Sequence, residues 1–446
     1  MIRRGLVVLL LLPAILTAAL PSRAAGDALT LEKALALAGE SNPVLAAGRQ
    51  RIVQAREKID QAAAPGLPQL GVSLLYQESD KDPYHPIFID GQRVNGYAQA
   101  GFRTTWKAAL TVSQLIYSGG SVKYSTQSRH MALRGVEASE ERTAQAVEWA
   151  VTGAWYELRR AEGRLSVAEE TLALAREHQK HVEALFRNGM VAKNEVLRVE
   201  VSVSEGELNR IRAANGVDVA WHALERAVGV PLRSAYSLLP EKVDEELPPA
   251  PPGAVALGLA SRPEARALEE AMNSALMASK AARASGGPKI ILMGEVYRAD
   301  EAFFPSKMDD WKITLLADWT FFDGGESASR AREAKAAAEE LLWQAEDLKR
   351  QIELEISAAC SNFESSLRRI EVGKAMVAAA EEEYRMALKR YTARVGTNID
   401  VLDGAMALAN ARNQLVEGVY DAKKARAEID WALGITGKML RQEVSE

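Results

Sequence analysis

The chain has 446 residues, 60 of them acidic and 55 basic, which gives a formal net charge of −5 at neutral pH. This acidic balance argues against nucleic acid as a partner, because proteins that bind nucleic acids carry basic surfaces. Cys360 is the only cysteine, so an intramolecular disulfide is excluded, and we expect no lipid-modified cysteine near the N-terminus.

Residues 1–24 have the features of a secretory signal peptide. Arg3 and Arg4 precede an apolar run from Leu6 to Leu20, and small residues typical of a cleavage site follow at positions 22 and 24. The run is shorter than the ~18 apolar residues that indicate a membrane-spanning helix, so we favour a signal peptide over an anchor. The mature chain would lose three arginines and carry a net charge of −8.

The mature sequence begins with a segment of helical spacing, residues 28–63. Apolar residues between Leu31 and Ala38 recur at intervals of three and four, which places them on one helix face. A similar helix is predicted at residues 254–284. It follows a Pro-rich segment at 231–253, which we interpret as a linker.

Alternating apolar and polar residues predict strands at residues 70–76 and 106–116, and again at 311–321. Segments of about ten residues with aromatic ends are typical of transmembrane β-strands, although a soluble sheet alternates in the same way. The signal peptide and the aromatic ends favour transmembrane strands over a soluble sheet. The segments Glu78 to Ala100 and Ala299 to Asp310 are predicted to be external loops between four strands. Because an open sheet edge in lipid leaves backbone groups unpaired, four strands must share a barrel with other chains.

The longest predicted element is a single helix from Ser121 to about Phe186, rich in residues that favour helices. At ~1.5 Å per residue its length would be on the order of 100 Å, which requires a coiled-coil partner. After a short break, a second helix from about Asn194 to Val228 returns as the other arm of a hairpin. An a/d repeat marks the seam at Leu165, Ala168, Leu172, Ala175, Gln179, Val182 and Phe186.

The sequence is internally duplicated. Residues 106–230 align with residues 311–435 at an offset of 205 without a gap, and the preceding segments align at an offset of 220. The second copy therefore predicts the same hairpin, with a long helix ending near Tyr391 and a return helix from about Asn398 to Leu433. The predicted domains are a first repeat at 25–230, the linker at 231–253, a second repeat at 254–435 and a tail at 436–446.

Several segments, in this order, resemble the TolC-type family of outer-membrane efflux proteins. Glu40 to Pro43 resembles the end of the family's opening helix. The segments Gln114–Gly120 and Trp319–Gly325 resemble its strand-to-helix turns, where glycines permit a sharp backbone path. The segments Asn188–Leu197 and Arg390–Asp403 resemble the hairpin tips, and the second of them is the most specific match. The resemblance covers essentially all of the mature chain.

The resemblance implies a mixed α/β membrane protein that assembles as a homotrimer. Three chains would each give four strands to one twelve-stranded transmembrane β-barrel, continued by a long α-helical coiled-coil tunnel in the periplasm. Family members act with a periplasmic adaptor and an inner-membrane transporter. The protein would then be a passive exit duct in the outer membrane, serving efflux or type I secretion, with no catalysis, no cofactor and no metal.

Four residues match the family's gate at the narrow periplasmic entrance, and at a fifth, Arg394, the chain departs from the family's pattern. Asp400 and Asp403 lie three apart on one helix face and would form two stacked rings of carboxylates that attract cations. Tyr391 corresponds to the family's gate tyrosine, and Glu195 to an acidic partner on the first hairpin. Many members carry glycine where Arg394 stands. We hypothesise that Arg394 pairs with Glu195 or with an aspartate and holds the gate shut.

The turns at the two tips are where the resemblance implies that the adaptor docks. The turn residues are Gly189, Met190, Val191, Val395, Gly396 and Thr397. For Gly189 and Gly396, an equally simple role is to permit the turn itself.

Two other functions stay open from the residues alone. A periplasmic adaptor also has a helical hairpin, but it would carry one hairpin and flanking β-domains. A secreted coiled-coil structural protein would not need alternating strands with aromatic ends. No catalytic motif with supporting context indicates an enzyme. His178 and His181 lie three apart and could bind a metal, but no third ligand is apparent, so we expect a surface position for both.

Overall fold

The computed structural model describes residues 27–81, 84–90, 92–99, 103–238, 247–303 and 308–436. The predicted signal peptide lies outside these ranges, as do residues 437–446 of the predicted tail. In chain order the elements are β1 (Asp27–Leu29), α1 (Leu31–Ser41), α2 (Pro43–Ala63), β2 (Gln69–Glu78), β3 (Tyr84–Ile89), β4 (Gln92–Gln99), β5 (Thr104–Tyr117), α3 (Ser121–Arg187), α4 (Lys193–Val228), β6 (Tyr236–Leu238), α5 (Ala254–Ser261), α6 (Pro263–Ser285), β7 (Lys289–Asp300), β8 (Met308–Asp318), α7 (Glu326–Thr392) and α8 (Asn398–Leu433).

Proline divides both of the shorter helical segments. The single helix predicted at 28–63 is wrong, because α1 and α2 meet at Asn42. Pro43 has no N–H to donate, and its ring disfavours a helical conformation in the preceding residue, so Asn42 is extended at φ −69° and ψ 122°. The segment 254–284 breaks in the same way at Arg262, between α5 and α6.

The two long hairpins confirm the duplication that the sequence predicts. Helices α3 and α7 both have 67 residues, and α4 and α8 both have 36. Every boundary in the second pair is displaced by 205 residues from its counterpart in the first. Across the described ranges, no helix has both the length and the apolar character needed to cross a membrane.

The residues of the predicted a/d seams are buried or partly buried in each hairpin, with an exception at the first tip. Leu172 and Val182 of α3 and Ala387 of α7 are buried. Phe186 is 41% exposed, whereas its counterpart Tyr391 is 5% exposed. Tyr391 differs because it fills the space between the two tips. It packs there with Val182, Val196, Val199, Ala387 and Val401.

Two hydrophobic cores occupy equivalent positions in the two repeats. In the first repeat, α3 and α4 meet at the fully buried side chains of Val151, Leu158 and Leu224. The residues displaced by 205 in the second repeat are also buried, and they are Ile356, Phe363 and Ile429. Burying an apolar side chain of this size stabilises a fold by about 1.5–3 kcal/mol, so each core joins the arms of its hairpin firmly.

A further equivalence lies at the corner where each pair of short helices meets the end of its hairpin. The Asn42 side chain donates from Nδ2 to the Ala227 carbonyl at 2.7 Å. At the corresponding corner, the Arg262 side chain donates from Nε to the Ala432 carbonyl at 2.6 Å. The two repeats thus make the same connection with different side chains.

The main sheet has four antiparallel strands in the order β2-β5-β7-β8. The two repeats join at its centre, where β5 pairs with β7. The prediction of a loop from Glu78 to Ala100 is wrong in part, because that segment contains the hairpin of β3 and β4. The segment predicted as a linker contains β6, which pairs in parallel with β1.

The two faces of the main sheet differ in polarity. One face carries exposed apolar side chains on all four strands, and these are Leu70, Val72, Leu74, Leu110, Val296, Ile313 and Leu315. On the other face, the Glu295 carboxylate lies 2.5 Å from Nζ of Lys107 and 3.1 Å from Nζ of Lys312. These two ion pairs link three strands of the sheet. An apolar outer face with a polar inner face is the arrangement of a transmembrane barrel wall.

Candidate functional site at the hairpin tips

The tips of the two hairpins lie against each other, and their contact brings residues of all four long helices together. His178 comes from α3, Glu195 from α4, Tyr391 from α7 and Asn398 from α8. The apolar cluster around Tyr391 lies beside these polar groups. The candidate site is therefore a contact between hairpins, and the spacing within any one helix does not reveal it.

The turns of the two tips share a left-handed backbone conformation. Gly189 has a φ of 69°, and Arg394, at the equivalent position of the second repeat, has a φ of 65°. This conformation costs a residue with a side chain roughly 1–2 kcal/mol, whereas glycine adopts it freely. The strain at Arg394 therefore has to be offset by its surroundings.

The Arg394 side chain reaches across to the first tip. Its guanidinium donates to the Met190 carbonyl at 3.2 Å, and it lies 2.8 Å from the Met190 sulfur. Among the described residues, its hydrogen bonds go to Met190, so the hypothesised pairing with Glu195 or with an aspartate is not formed within the single chain. A carbonyl at the opposite tip takes the place of the carboxylate.

Tyr391 is the residue that binds Glu195. The Tyr391 hydroxyl donates to Glu195 Oε2 at 3.1 Å. Burial, together with the neighbouring Glu195 carboxylate, raises the pKa of Tyr391 to about 12. The hydroxyl therefore stays protonated and able to donate at any physiological pH. Two residues that the sequence assigned to the gate are thus in direct contact between α7 and α4.

His178 is buried, and the expectation that it lies on the surface is wrong. It is 4% exposed, its Nε2 lies 2.7 Å from Asn398 Oδ1, and its ring packs edge-on against Tyr391. The sequence held a weak signal, since His178 is next to the seam residue Gln179 and four residues before Val182. The histidine is buried because α3 packs against α8 as well as against α4. Within the described ranges, no group of three His, Cys, Asp or Glu side chains could hold a metal ion.

The two predicted gate aspartates have different surroundings. Asp400 closes a capping box at the start of α8. Its N–H donates to Thr397 Oγ1 at 3.2 Å, and its carboxylate accepts from the Thr397 N–H at 3.0 Å. The bonds from Thr397 lower the pKa of Asp400, so its negative charge persists into acidic solution. Asp403 is exposed almost one helical turn further along α8.

The six predicted docking residues are mostly exposed at the surface of the tips. Met190 is 56% exposed and Val395 is 68% exposed, while Val191 is partly buried. Thr397 is exposed and caps α8. The positive φ of Gly189 favours glycine, which adopts it without strain. Gly396 is required by close packing, because an added Cβ would lie 2.9 Å from the Cβ of Arg390.

A sequence model of the family described as "Outer membrane efflux protein" matches residues 34–230 and 255–435, well over half of the chain. The chain belongs to the outer membrane efflux protein family. As a member of that family it is an outer-membrane channel, with its helical hairpins extending into the periplasm.

Relatives of this outer membrane efflux protein are distant in sequence but similar in fold. Outer membrane protein TolC of Escherichia coli strain K12 is 23% identical over 412 residues, which cover 88% of this chain and 80% of TolC. The alkaline protease secretion protein AprF of Pseudomonas aeruginosa is 24% identical over 282 residues, which cover 62% of this chain and 58% of AprF. The matched segment thus spans less than two thirds of the length of AprF. The CmeC outer membrane channel of Campylobacter jejuni superimposes with a TM-score of 0.75 at 17% identity, covering 91% of this chain and 85% of CmeC.

These similarities confirm the predicted fold class and the predicted family. The chain has the fold of TolC-family outer-membrane channels, in which strands and long hairpins occur in one duplicated chain. The function predicted from the sequence, an outer-membrane exit duct, is the function of this family of channels.

Proposed function

We propose that three copies of this chain form a twelve-stranded barrel with a helical tunnel beneath it. The assembly would be the passive exit duct of a tripartite efflux or type I secretion system. An inner-membrane transporter and a periplasmic adaptor would deliver the cargo. The observation that carries the proposal is the presence in one chain of a sheet with an apolar outer face and two hairpins whose 67-residue helices are about 100 Å long at ~1.5 Å per residue.

The edges of the sheet support a shared barrel. β2 and β8 are the outermost strands of the four-stranded sheet. Inside a bilayer, the backbone groups of these edges would have no water to bind, and each unpaired group would cost several kcal/mol. Pairing β8 of one chain with β2 of the next satisfies both edges. Three chains then supply twelve strands, an even number within the range of outer-membrane barrels.

The hairpin tips would form a gate at the periplasmic end of the tunnel. The bond from Tyr391 to Glu195 and the bonds from Arg394 to the first tip attach the second hairpin to the first. In a trimer, Asp400 and Asp403 would each give a ring of three carboxylates at the entrance. The exposed turn residues, from both tips, would be available to the adaptor.

The proposal is tested with the purified mature protein in detergent and in a planar bilayer. We expect a trimer by light scattering, and discrete cation-selective conductance steps after insertion. Circular dichroism first establishes that the protein is folded. A folded trimer that gives no steps would contradict the duct and would favour an adaptor or a structural protein. A stable monomer that conducts would contradict the shared barrel.

Replacing Arg394 with glycine is expected to raise the open probability of the channel. Glycine keeps the left-handed turn without strain and removes the guanidinium that binds Met190, so the variant isolates the side chain from the backbone. Loss of a charge-assisted hydrogen bond worth about 1.5 kcal/mol would shift the closed-to-open ratio roughly tenfold. Single-channel recording measures the effect.

The matched control for Arg394→Gly is Arg385→Ala. Arg385 is also on α7, and it pairs with Glu382 of the same helix rather than with the first hairpin. We expect the open probability of this control to equal that of the wild type. If Arg394→Gly also leaves the open probability unchanged, the contact with Met190 does not hold the gate closed.

A further inference from the structure

The contact between the hairpins contains a buried titratable group to which the proposed gate assigns no role. His178 bridges α3 to α8 through Asn398, and Asn398 continues the hydrogen bonds to the Glu195 carbonyl on α4. Asn398 is itself 4% exposed and is the first residue of α8. The start of the helix that carries Asp400 and Asp403 is therefore attached to the first hairpin through one histidine and one amide.

The hydrogen bonds fix the protonation state of the His178 ring. Asn398 uses Nδ2 to donate to the Glu195 carbonyl, so its Oδ1 faces His178, and an amide oxygen can only accept. Nε2 of His178 must therefore carry the proton, and Nδ1 carries a lone pair. Nδ1 is buried without a hydrogen-bond partner, and so is Nε2 of His181, almost one turn further along α3.

The groups around His178 come from all four helices. His181 faces it from α3, Glu195 from α4 and the neutral Tyr391 ring from α7. Asn398 faces it from α8, and near Asn398 the carboxylate of Asp400 is held by the capping box. Burial lowers the pKa of His178 below 6.5, and His181 lowers it further, against the opposing effects of the bond to Asn398 and of Glu195.

We propose that His178 is a proton-responsive positioning residue of the gate, which holds the start of α8 against the first hairpin when neutral and releases it when protonated. A second proton, at Nδ1, would place an N–H donor without an acceptor, and a positive charge, in a buried contact. The positive end of the α8 dipole at Asn398 opposes the same charge. Acid would therefore favour the open gate. The inference rests on the proposed gate at the tips.

The direction follows from the linkage between protonation and closure. The pKa of His178 is lowered in the closed contact and would return to its ordinary value near 6.5 when the contact opens and water reaches the ring. The closed contact therefore has its full stability above pH 6.5 and loses stability as the pH falls from 6.5 toward the lowered pKa. The closed-to-open ratio falls about tenfold for each unit between the two pKa values.

The test measures gate opening in two independent ways, at about pH 7.5 and at about pH 5.5, on either side of the ordinary histidine pKa. One measurement is the open probability of the channel in a planar bilayer. The other is the distance between spin labels at Lys193 and Ala393, exposed residues on the two tips, in the full chain with Cys360 replaced by serine. In the wild type we expect acid to raise the open probability and to lengthen the distance between the labels.

His178→Gln provides the decisive variant, because glutamine can donate an N–H to Asn398 but does not titrate in this range. We expect its response to acid to be lost in both measurements. His130→Gln is the matched control, since His130 is exposed on α3 far from the tips, and it should respond as the wild type does. An unchanged acid response in His178→Gln overturns the proposal. The response would then come from the protonation of another group, such as His181 or the aspartates.

The two measurements distinguish this inference from the proposed function. If the wild-type channel conducts but neither its open probability nor its label distance changes with pH, the inference is wrong and the duct stands. If the labels separate in acid but the folded protein never conducts, the duct is wrong and the histidine contact stands. The label distance in the chain that keeps His178 does not depend on the folding of His178→Gln, so the proposal can fail even if that variant is unstable.

Discussion

Replacing Asp400 and Asp403 together with asparagine is expected to abolish the cation preference of the channel. In a trimer the change removes six negative charges from the narrowest part of the proposed entrance. Rings of carboxylates select cations because their fields add within a pore of low dielectric. Reversal potentials measured across a salt gradient should therefore move from the cation side to near zero, with a permeability ratio of about 1.

The choice of asparagine follows from the structure of the α8 start. The Asp400 carboxylate accepts the Thr397 N–H at 3.0 Å, and an asparagine oxygen can accept the same bond, whereas alanine would leave it unmade. Loss of the cap alone would destabilise the start of α8 by about 1 kcal/mol. An effect of that loss on gating could then not be separated from the effect of the missing charge on selectivity. Because its pKa is lowered, Asp400 should also keep the wild-type channel selective when the pH falls toward the ordinary aspartate range.

A control removes the same charge from another part of the long helices. Asp347→Asn combined with Glu353→Gln neutralises two exposed acidic residues on α7, far from the tips. We expect this double variant to keep the wild-type reversal potential. If it loses selectivity as fully as the tip variant does, the preference for cations comes from the whole tunnel and not from a gate at Asp400 and Asp403.

The sequence was sufficient to predict the hairpins because two independent patterns agreed. The long run of helix-favouring residues gave the helices their length, and the ungapped duplication transferred each boundary from the first copy to the second. The breaks before Pro43 and Pro263 were also accessible, since the residue before a proline disfavours the helical conformation. The β3–β4 hairpin had its own signal in Asp90-Gly91, a dipeptide typical of hairpin turns, inside the segment from Glu78 to Ala100 that was predicted to be a loop.

The side-chain partners at the tips could not be predicted in the same way. The resemblance placed Tyr391, Glu195 and Arg394 in one region, but the pairings depend on how the second hairpin lies across the first. Charge alone favoured Arg394 with Glu195 or an aspartate, whereas the guanidinium of Arg394 binds the Met190 carbonyl. His178 was placed on the surface because one helix was considered by itself. Its burial is a property of four helices packed together.

Replacing Arg262 with alanine is expected to be the most destabilising of these changes. The Arg262 side chain is 2% exposed, at the break between α5 and α6. Its guanidinium lies 2.6 Å from Glu355 of α7 and 3.2 Å from Glu264 of α6, and Nε donates to Ala432 of α8. Removing Arg262 leaves the Glu355 carboxylate, which is 27% exposed, without this partner, and we expect a loss of about 3 kcal/mol, the lower end of the range for a buried ion pair.

The position of Arg262 in the fold makes the loss larger than that of one ion pair. Arg142 of α3 lies in the same contact, 3.0 Å from Glu264 and with its guanidinium over the Trp431 ring at 4.2 Å. The Arg142 side chain is 16% exposed, and its burial lowers its pKa. The first repeat makes the same corner with Asn42, a neutral residue. The second repeat has therefore placed buried charge where the first has an amide, and its corner depends on the charges remaining paired.

Chemical denaturation followed by far-ultraviolet circular dichroism measures the effect, in detergent and at constant protein concentration. Arg266→Ala is the matched control, because Arg266 lies four residues along in α6 and forms an ion pair with Glu141 while 56% exposed. Such an exposed pair is worth about 0–1 kcal/mol. Arg262→Ala should also cost less when Glu355 is already glutamine, because an uncharged partner needs no compensation. An equal cost in both backgrounds would mean that Arg262 stabilises the corner through packing and its bond to Ala432, and that the buried charges contribute little.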